Sequence, residues 1–333
     1  MIKIIAELAQ GFEGKPDQAR LLVLAGAKAG ADAVKMQLVF ADELCTPDYK
    51  DFLLFQTLEM TDGIWHGLAA QCRELNVELH LDVFGPRSLA LAEEIGATAI
   101  KIHGTDMGNI GLLKAVAKSK VRQVLLGAGG GFLPEIAMAV ELLAEKQVVV
   151  LLGFQGYPTP DDANHVERVR TVKTLFAEHG NVTVGFADHA VPNSPLSLGI
   201  AATALGAGAT VFEKHLTLAQ AMKLEDHEAA LNPDQFVVFA GALRDCAKSL
   251  GRVAPDAHDF GMSESELAYR QWTRKHVVAC RPIAAGTIIP PEAVLLKRTP
   301  STQYLTDLDS VYGKRVLRNI EINQAISAVD LSE

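Results

Sequence analysis

Two strings in the second half of the sequence, Gly185-Phe186-Ala187-Asp188-His189 and Glu213-Lys214-His215, each carry an apolar run into a histidine. Two neutral imidazoles on the tips of neighbouring strands suit a divalent transition metal and leave positions for water and a carbonyl oxygen. The alternative is that each ring serves structure, as single histidines usually do, and spacing alone leaves both readings open. His66, His165 and His179 fall in helix-length stretches and read as surface residues.

Lys35, Lys101 and Lys214 lie inside or directly beyond apolar runs. An ammonium is costly to bury there, so each faces either an anionic ligand or a neighbouring carboxylate such as Glu7 or Glu213. Three lysines at equivalent positions favour the ligand, phosphorylated or carboxylated. The run Gly127-Ala128-Gly129-Gly130-Gly131 lacks nucleotide-binding spacing. Its amides could still cradle a phosphate before a helix starting near Leu133, or it is simply a flexible turn. Other polar residues gather at run ends: Glu7 and Gln10, Gln37, Asp82, Asp106, then Gln155 and Tyr157.

These positions need a scaffold, and the alternation of short apolar runs with amphipathic helix-length stretches predicts one. Eight runs occur: Ile2 to Leu8, Ala33 to Leu38, Glu78 to Phe84, Ala99 to His103, Val121 to Gly127, Val148 to Phe154, Val182 to Ala187 and Thr210 to His215. Helices are expected between them, among others over Asp17 to Lys28, Asp62 to Leu75, Ser88 to Glu94 and Leu133 to Lys146. Eight βα units predict a closed (β/α)₈ barrel over residues 1–250, with chemistry at the C-terminal strand ends. Gly-Ala recurs before three of the strands, in Ala29 to Lys35, Glu94 to Lys101 and Leu205 to Lys214, as a helix-stopping signal. Residues 251–273, polar and containing Pro255, read as a linker. Beyond it, Arg281 to Ile289 echoes Arg318 to Ile326, with Gly286 and Asn323 at the matching turn, so residues 274–333 read as an internally duplicated β-clip domain.

The residues quoted, in this order, resemble the phosphoenolpyruvate-dependent sialic acid synthases, a family that includes pseudaminic and legionaminic acid synthases. Ile5-Ala6-Glu7-Leu8 is similar to the family's opening motif, Ala31 to Gln37 to its second-strand motif, and Tyr157-Pro158-Thr159-Pro160 to its Tyr-Pro-Thr-Pro segment. The strings ending in His189 and His215 are its most specific signatures, and residues 274–333 resemble its antifreeze-like (SAF) domain. The resemblance implies Mn²⁺ or Mg²⁺ on His189 and His215, polarising the aldehyde of an open-chain amino sugar. Lys35 and Lys101 would then bind phosphoenolpyruvate, with Gln37, Asp82, Gly129, Gln155, Tyr157, Asp188, Lys214 and Asp226 lining the substrate site. Glu7, Asp106 and Glu213 would handle protons or water. A domain-swapped homodimer is implied, with Arg298 or Arg315 reaching the partner's site, and His227 is a candidate third metal ligand.

Several positions depart from the family pattern: Gly11-Phe12 for Asn-His, Leu81-Asp82-Val83-Phe84 for Ser-Thr-Pro-Phe, Gly127-Ala128-Gly129 for Ser-Thr-Gly and Ala187 for serine. They remove hydroxyl donors expected near phosphate and add a negative charge at Asp82. Two other activities therefore stay open: a metal-dependent aldolase or lyase on an unphosphorylated keto acid, and a catalytically silent sugar-binding paralogue. Composition narrows the classes further. The net charge of −9 is dispersed, so no basic patch invites nucleic acid or anionic lipid. Four cysteines without CxxC spacing argue against a disulfide framework and fit a reducing cytoplasm. No apolar stretch approaches the roughly 20 residues of a membrane span.

Overall fold

The computed structural model describes residues 2–251, 258, 260–300 and 303–332. The chain divides into two compact units, Met1–Gly251 and Arg252–Glu333. In the first, each apolar run becomes a strand: β1 (Lys3–Ala9), β2 (Ala33–Gln37), β3 (Glu78–Val83), β4 (Ala99–Ile102), β5 (Gln123–Gly127), β6 (Gln147–Leu152), β7 (Val182–Asp188) and β8 (Val211–His215). All neighbours pair in parallel and β8 returns to β1, closing the cylinder. Leu38, Phe84, His103 and Phe154, placed at the ends of their runs, lie just beyond the strands, where the loops begin.

Helices cover the outside, among them Pro16–Lys28, Asp62–Glu74, Pro86–Glu94, Ile110–Lys118, Glu167–Leu175, Ser197–Ala207 and Pro233–Leu250. Proline at the first position presets φ for several of them. The helix starting at Leu133 ends at Leu142, short of the expected Lys146. Lys146 instead turns its ammonium onto the carbonyls of Ser119 and Val121 at 2.6 and 2.9 Å, which satisfies a buried charge that a continued helix would strand. His66 lies on a helix as expected, but His165 and His179 flank the helix Glu167–Leu175 rather than belonging to it. All three are exposed.

The Gly-Ala joints explain how each helix stops in register with the next strand. Gly30, Gly96 and Gly208 have φ of +85, +76 and +110°. In each case the following alanine N–H reaches the carbonyl five residues back, in Ala31 to Gly26, Ala97 to Ala92 and Ala209 to Ala204. This is the Schellman closure, which a residue with a Cβ enters only against steric resistance.

Two apolar layers result. A large one between strands and helices is centred on Phe12, Trp65, Phe40, Phe212 and Phe236. A smaller one, Ile5, Ala33, Leu125, Val149, Leu151 and Val211, plugs the interior of the cylinder. Alternation along the strands then dictates what sits on that plug: Glu7 follows Ile5, Lys35 follows Ala33, and Glu213 follows Val211 on the inner face.

In the second unit, residues 264–273 of the expected linker form a helix, Glu264–Thr273. Ser263 accepts from the Glu266 N–H at 3.2 Å while Glu266 reaches back to the Ser263 N–H at 3.0 Å, a capping box written in the sequence as Ser-x-x-Glu. Pro255, on which the linker reading leaned, lies outside the described residues. Strands β9 (Lys275–Ala279) and β10 (Val294–Arg298) pair antiparallel. The two echoing segments pair with each other: Ile283 and Ile320 exchange both backbone hydrogen bonds at 2.9 Å. Gly286 and Asn323 take the expected positive φ, +84 and +63°.

Gly96 tests the joint cleanly, because a Cβ there meets nothing within 4 Å. The variant G96A pays only the left-handed backbone penalty. Its unfolding free energy in urea is expected to fall by about 1–2 kcal/mol with an unchanged denaturant slope.

Candidate functional site

Immediately above the apolar plug lies a layer of charge. Lys35, fully buried, forms ion pairs with Glu7, with Asp82 at 2.6 Å and with Glu213 at 3.6 Å. Lys101 meets Glu213 at 2.9 Å and stands 3.9 Å from Asp82 and 4.0 Å from Glu7. Strand register explains the meeting: Glu7 lies opposite Lys35, and Asp82 opposite Lys101. Burial works against the Lys35 ammonium, but Asp82, Glu213 and Glu7 together outweigh it and hold the group protonated. Burial also opposes ionisation of Glu213, which Lys101 and Lys35 overcome, keeping it a carboxylate. Glu7 goes the other way. Burial dominates, Glu213 and Asp82 add repulsion, and the carboxyl rises to about 8 despite Lys35. A proton on Glu7 brings this layer of two lysines and three acids closer to charge balance.

A ring of polar groups forms the mouth above it. His189 follows β7 and His215 ends β8, and their rings stand 5.3 Å apart between centroids. His189 Nδ1 lies 2.9 Å from the Ala187 carbonyl, which can only accept, so Nδ1 carries the proton and Nε2 a lone pair. His215 reaches the same tautomer by a longer route. The Tyr157 hydroxyl spends its proton on the Asp226 carbonyl, so toward His215 Nδ1, 3.3 Å away, it is an acceptor. Burial pulls His189 down to about 4, and burial plus His189 hold His215 well below the usual histidine range. Both rings are thus neutral, each with Nε2 free. Gln10 extends the rim, donating its side-chain amide to Gln37 at 2.7 Å and its backbone N–H to Asp226 at 3.2 Å. Burial raises the Asp226 carboxyl to about 6.

Beside Lys101 and His189 opens a pocket of about 250 Å³. Leu151, Phe154 and Ala187 give it apolar walls, and His103 and Thr105 border it after β4. Its glycine side is closely packed: a Cβ on Gly104 would stand 2.4 Å from the Gly129 carbonyl oxygen. The sequence reading missed His103, Thr105 and Phe154. Their signal was position, since each follows a strand end by one to three residues.

Comparison with known proteins decides the family. The family model described as NeuB matches residues 22–254, and the SAF domain model matches residues 274–332. The chain belongs to the NeuB family. An N,N'-diacetyllegionaminic acid synthase of Campylobacter jejuni is 27% identical over 97% of this chain and 98% of its own length. The spore coat polysaccharide biosynthesis protein SpsE of Bacillus subtilis is 30% identical over 72% of this chain and 66% of its own. Its crystal structure superimposes with a TM-score of 0.66 at 25% identity, covering 100% of this chain and 95% of that one. The N-acetylneuraminic acid synthetase of Leptospira borgpetersenii shares the fold, with a TM-score of 0.70 at 24% identity over 81% of this chain and 91% of that one. Curated NeuB relatives include synthases of legionaminic, pseudaminic and N-acetylneuraminate-9-phosphate type.

Within this NeuB barrel the structure gathers Glu7, Lys35, Asp82, Lys101 and Glu213 in one layer, and Gln37, Tyr157, His189, His215 and Asp226 around the mouth. Of the three lysines expected to meet a ligand, only Lys101 borders the pocket. Lys35 is sealed beneath its carboxylates, and Lys214 faces the other side of the sheet, one residue out of phase with Glu213 and His215. There it bonds Asp188 at 3.1 Å and the Ala190 carbonyl at 2.9 Å, so Asp188 and Lys214 form a buried structural pair outside the mouth. Asp106 lies on a single 3₁₀ turn and accepts from the Asn109 amide at 2.9 Å. The Gln155 backbone N–H donates to Thr159 at 3.4 Å. His227 is held by the Leu224 carbonyl at 2.8 Å, and among the described residues no three His, Cys, Asp or Glu side chains converge as metal ligands. Arg298 and Arg315 belong to the second unit, Arg298 exposed on β10 and Arg315 donating to the Gly286 carbonyl at 2.6 Å. Among the described residues no helix is long and apolar enough to cross a membrane.

Two measurements probe this layering. Replacing Lys35 by methionine leaves Glu7, Asp82 and Glu213 facing Lys101 alone. K35M is expected to lose about 3–5 kcal/mol in urea unfolding, and K35M/D82L to recover part of it. The depressed imidazoles contribute stability that is full above the ordinary histidine value and lost as pH falls toward about 4. Glu7 and Asp226, both raised, act with the opposite sign as pH rises, so the informative quantity is a difference. Between pH 6.5 and 4, metal-free wild type should lose on the order of 3 kcal/mol relative to an H189Q variant.

Proposed function

We propose that this NeuB-family protein joins phosphoenolpyruvate to the aldehyde of an open-chain, N-acetylmannosamine-like amino sugar, releasing phosphate and forming a nonulosonic acid. The observation that carries the reading is the pair of neutral imidazoles at the mouth, each with Nδ1 engaged and Nε2 free, beside a pocket bordered by Lys101. Two nitrogen donors of this kind fit a divalent ion that takes its remaining ligands from water and substrate. His189 and His215 would hold Mn²⁺ or Mg²⁺, which supplies Lewis acidity toward the aldehyde oxygen.

The chain's own residues do the rest. Tyr157 fixes the tautomer and orientation of His215. Lys101, anchored by Glu213, presents the positive charge that a donor's anionic group requires. Carbon 3 of phosphoenolpyruvate attacks the aldehyde carbon, the resulting alkoxide takes up a proton, water adds at carbon 2, and phosphate departs to leave the 2-keto acid. Glu7 is the proton source this reading assigns, since its raised carboxyl still holds a proton at neutral pH. The sugar would lie toward Asp226 and Gln37 on the rim. The reading includes a homodimer in which Arg298 serves the partner's site, and light scattering on the purified protein checks the dimer.

One observation favours a second reading. The carboxylates already balance the lysines, so little uncompensated charge remains for a phosphate dianion, as suits a metal-dependent aldolase or lyase acting on an unphosphorylated keto acid.

Purified protein with Mn²⁺, a panel of aldoses and either phosphoenolpyruvate or pyruvate separates the readings. Phosphate and a 2-keto acid should appear together only when phosphoenolpyruvate, an amino sugar and metal are all present. EDTA should abolish turnover, and H189A or H215A should lower it at least about 100-fold. Turnover of pyruvate with no use of phosphoenolpyruvate would establish the second reading. Metal binding without turnover of either donor would leave a sugar-binding paralogue.

A further inference from the structure

One titratable side chain in the pocket has no part in the chemistry above. His103 stands two residues beyond Lys101, so strand alternation sends both side chains to the inner face, and both border the same pocket. Its Nδ1 is 3.0 Å from the Thr105 hydroxyl and 3.4 Å from the Thr105 N–H. A backbone N–H only donates, so Nδ1 accepts, and the neutral ring keeps its proton on Nε2. Burial, then the neighbouring Lys101, favours that neutral form. Phe84 packs against the ring with centroids 6.3 Å apart, limiting its rotation.

Thr105, which also borders the pocket, directs its hydroxyl to His103 Nδ1. Leu151, Phe154 and Ala187 present carbon, and the packing of Gly104 on Gly129 leaves no room there for a hydroxyl-bearing side chain. Lys101 is shared with Glu213. An anionic group entering here meets one ammonium already half-engaged and one neutral N–H.

We propose that His103 is a specificity-determining residue, whose Nε2–H binds the anionic head of the donor while Lys101 binds a second oxygen of the same group. The inference rests on the donor reading of this site and names the group that takes over where hydroxyl donors are missing. A carboxylate and a phosphate share the chemistry that such a donor recognises, and binding measurements separate them.

Calorimetric titration of the full-length, Mn²⁺-loaded protein with phosphoenolpyruvate, pyruvate and inorganic phosphate is the test. H103L, which keeps bulk but has no donor, should weaken binding about tenfold or more. H103Q, whose amide nitrogen can replace Nε2, should recover most of the affinity at an unchanged melting temperature. Weakening confined to phosphoenolpyruvate and phosphate assigns the subsite to a phosphate head, weakening confined to phosphoenolpyruvate and pyruvate assigns it to a carboxylate, and weakening of all three assigns it to a subsite that takes either head. Should H103L fail to fold, H103N takes its place, because its shorter amide cannot reach the Nε2 position. Equal affinity of wild type and variants for a probe that binds overturns the role of His103 and leaves the proposed synthase standing. Failure of every probe to bind wild type overturns both.

Discussion

A fully buried ammonium is the constraint around which the barrel interior is organised. Lys35 has no exposure to solvent, and an unpaired charge in such a place would neutralise itself or unfold the layer. Three carboxylates from three other strands answer it, which ties β1, β2, β3 and β8 together through side chains as well as through backbone pairing. Glu213 then has a free side for Lys101, which among the described residues is the one lysine bordering the pocket. Burial, reinforced by repulsion among three acids, has a chemical consequence. One of them, Glu7, is left holding a proton near neutral pH.

The mouth is built by a different device: single-proton bookkeeping. Tyr157 has one hydroxyl proton and gives it to a carbonyl, the Ala187 carbonyl can only accept, and each choice sets the tautomer of a neighbouring imidazole. Thr105 sets the opposite tautomer on His103. Three histidines within one site therefore have two distinct roles, lone-pair donors at His189 and His215 and a proton donor at His103. Their shared neutrality comes chiefly from burial, so it holds without a bound ligand.

The second unit follows a separate logic. Its small core of isoleucines and valines is closed by two copies of one segment that pair across a pseudo-twofold axis through Ile283 and Ile320. Positive φ at Gly286 and Asn323 lets each copy turn at the same point, so a short repeat suffices to define the unit.

Periodicity and punctuation along the chain determined the architecture. Eight apolar runs, the three Gly-Ala joints and the C-terminal echo are local signals, and each reports a backbone requirement that no distant residue alters. Glu7, Lys35, Asp82, Lys101, Glu213 and the two histidines were legible as candidates because polar residues at the C-terminal ends of strands gather near a barrel's mouth. What the tertiary structure alone decided was direction and partnership. A shift of one residue turned Lys214 and Asp188 to the outer face, and three converging carboxylates engaged Lys35 in buried ion pairs. His103 became a pocket residue because it stands two positions from Lys101, just beyond the end of β4, whose inner face only closure of the cylinder defines. Charge balance, tautomer and access depend on which strands become neighbours, and one-dimensional spacing does not contain that information.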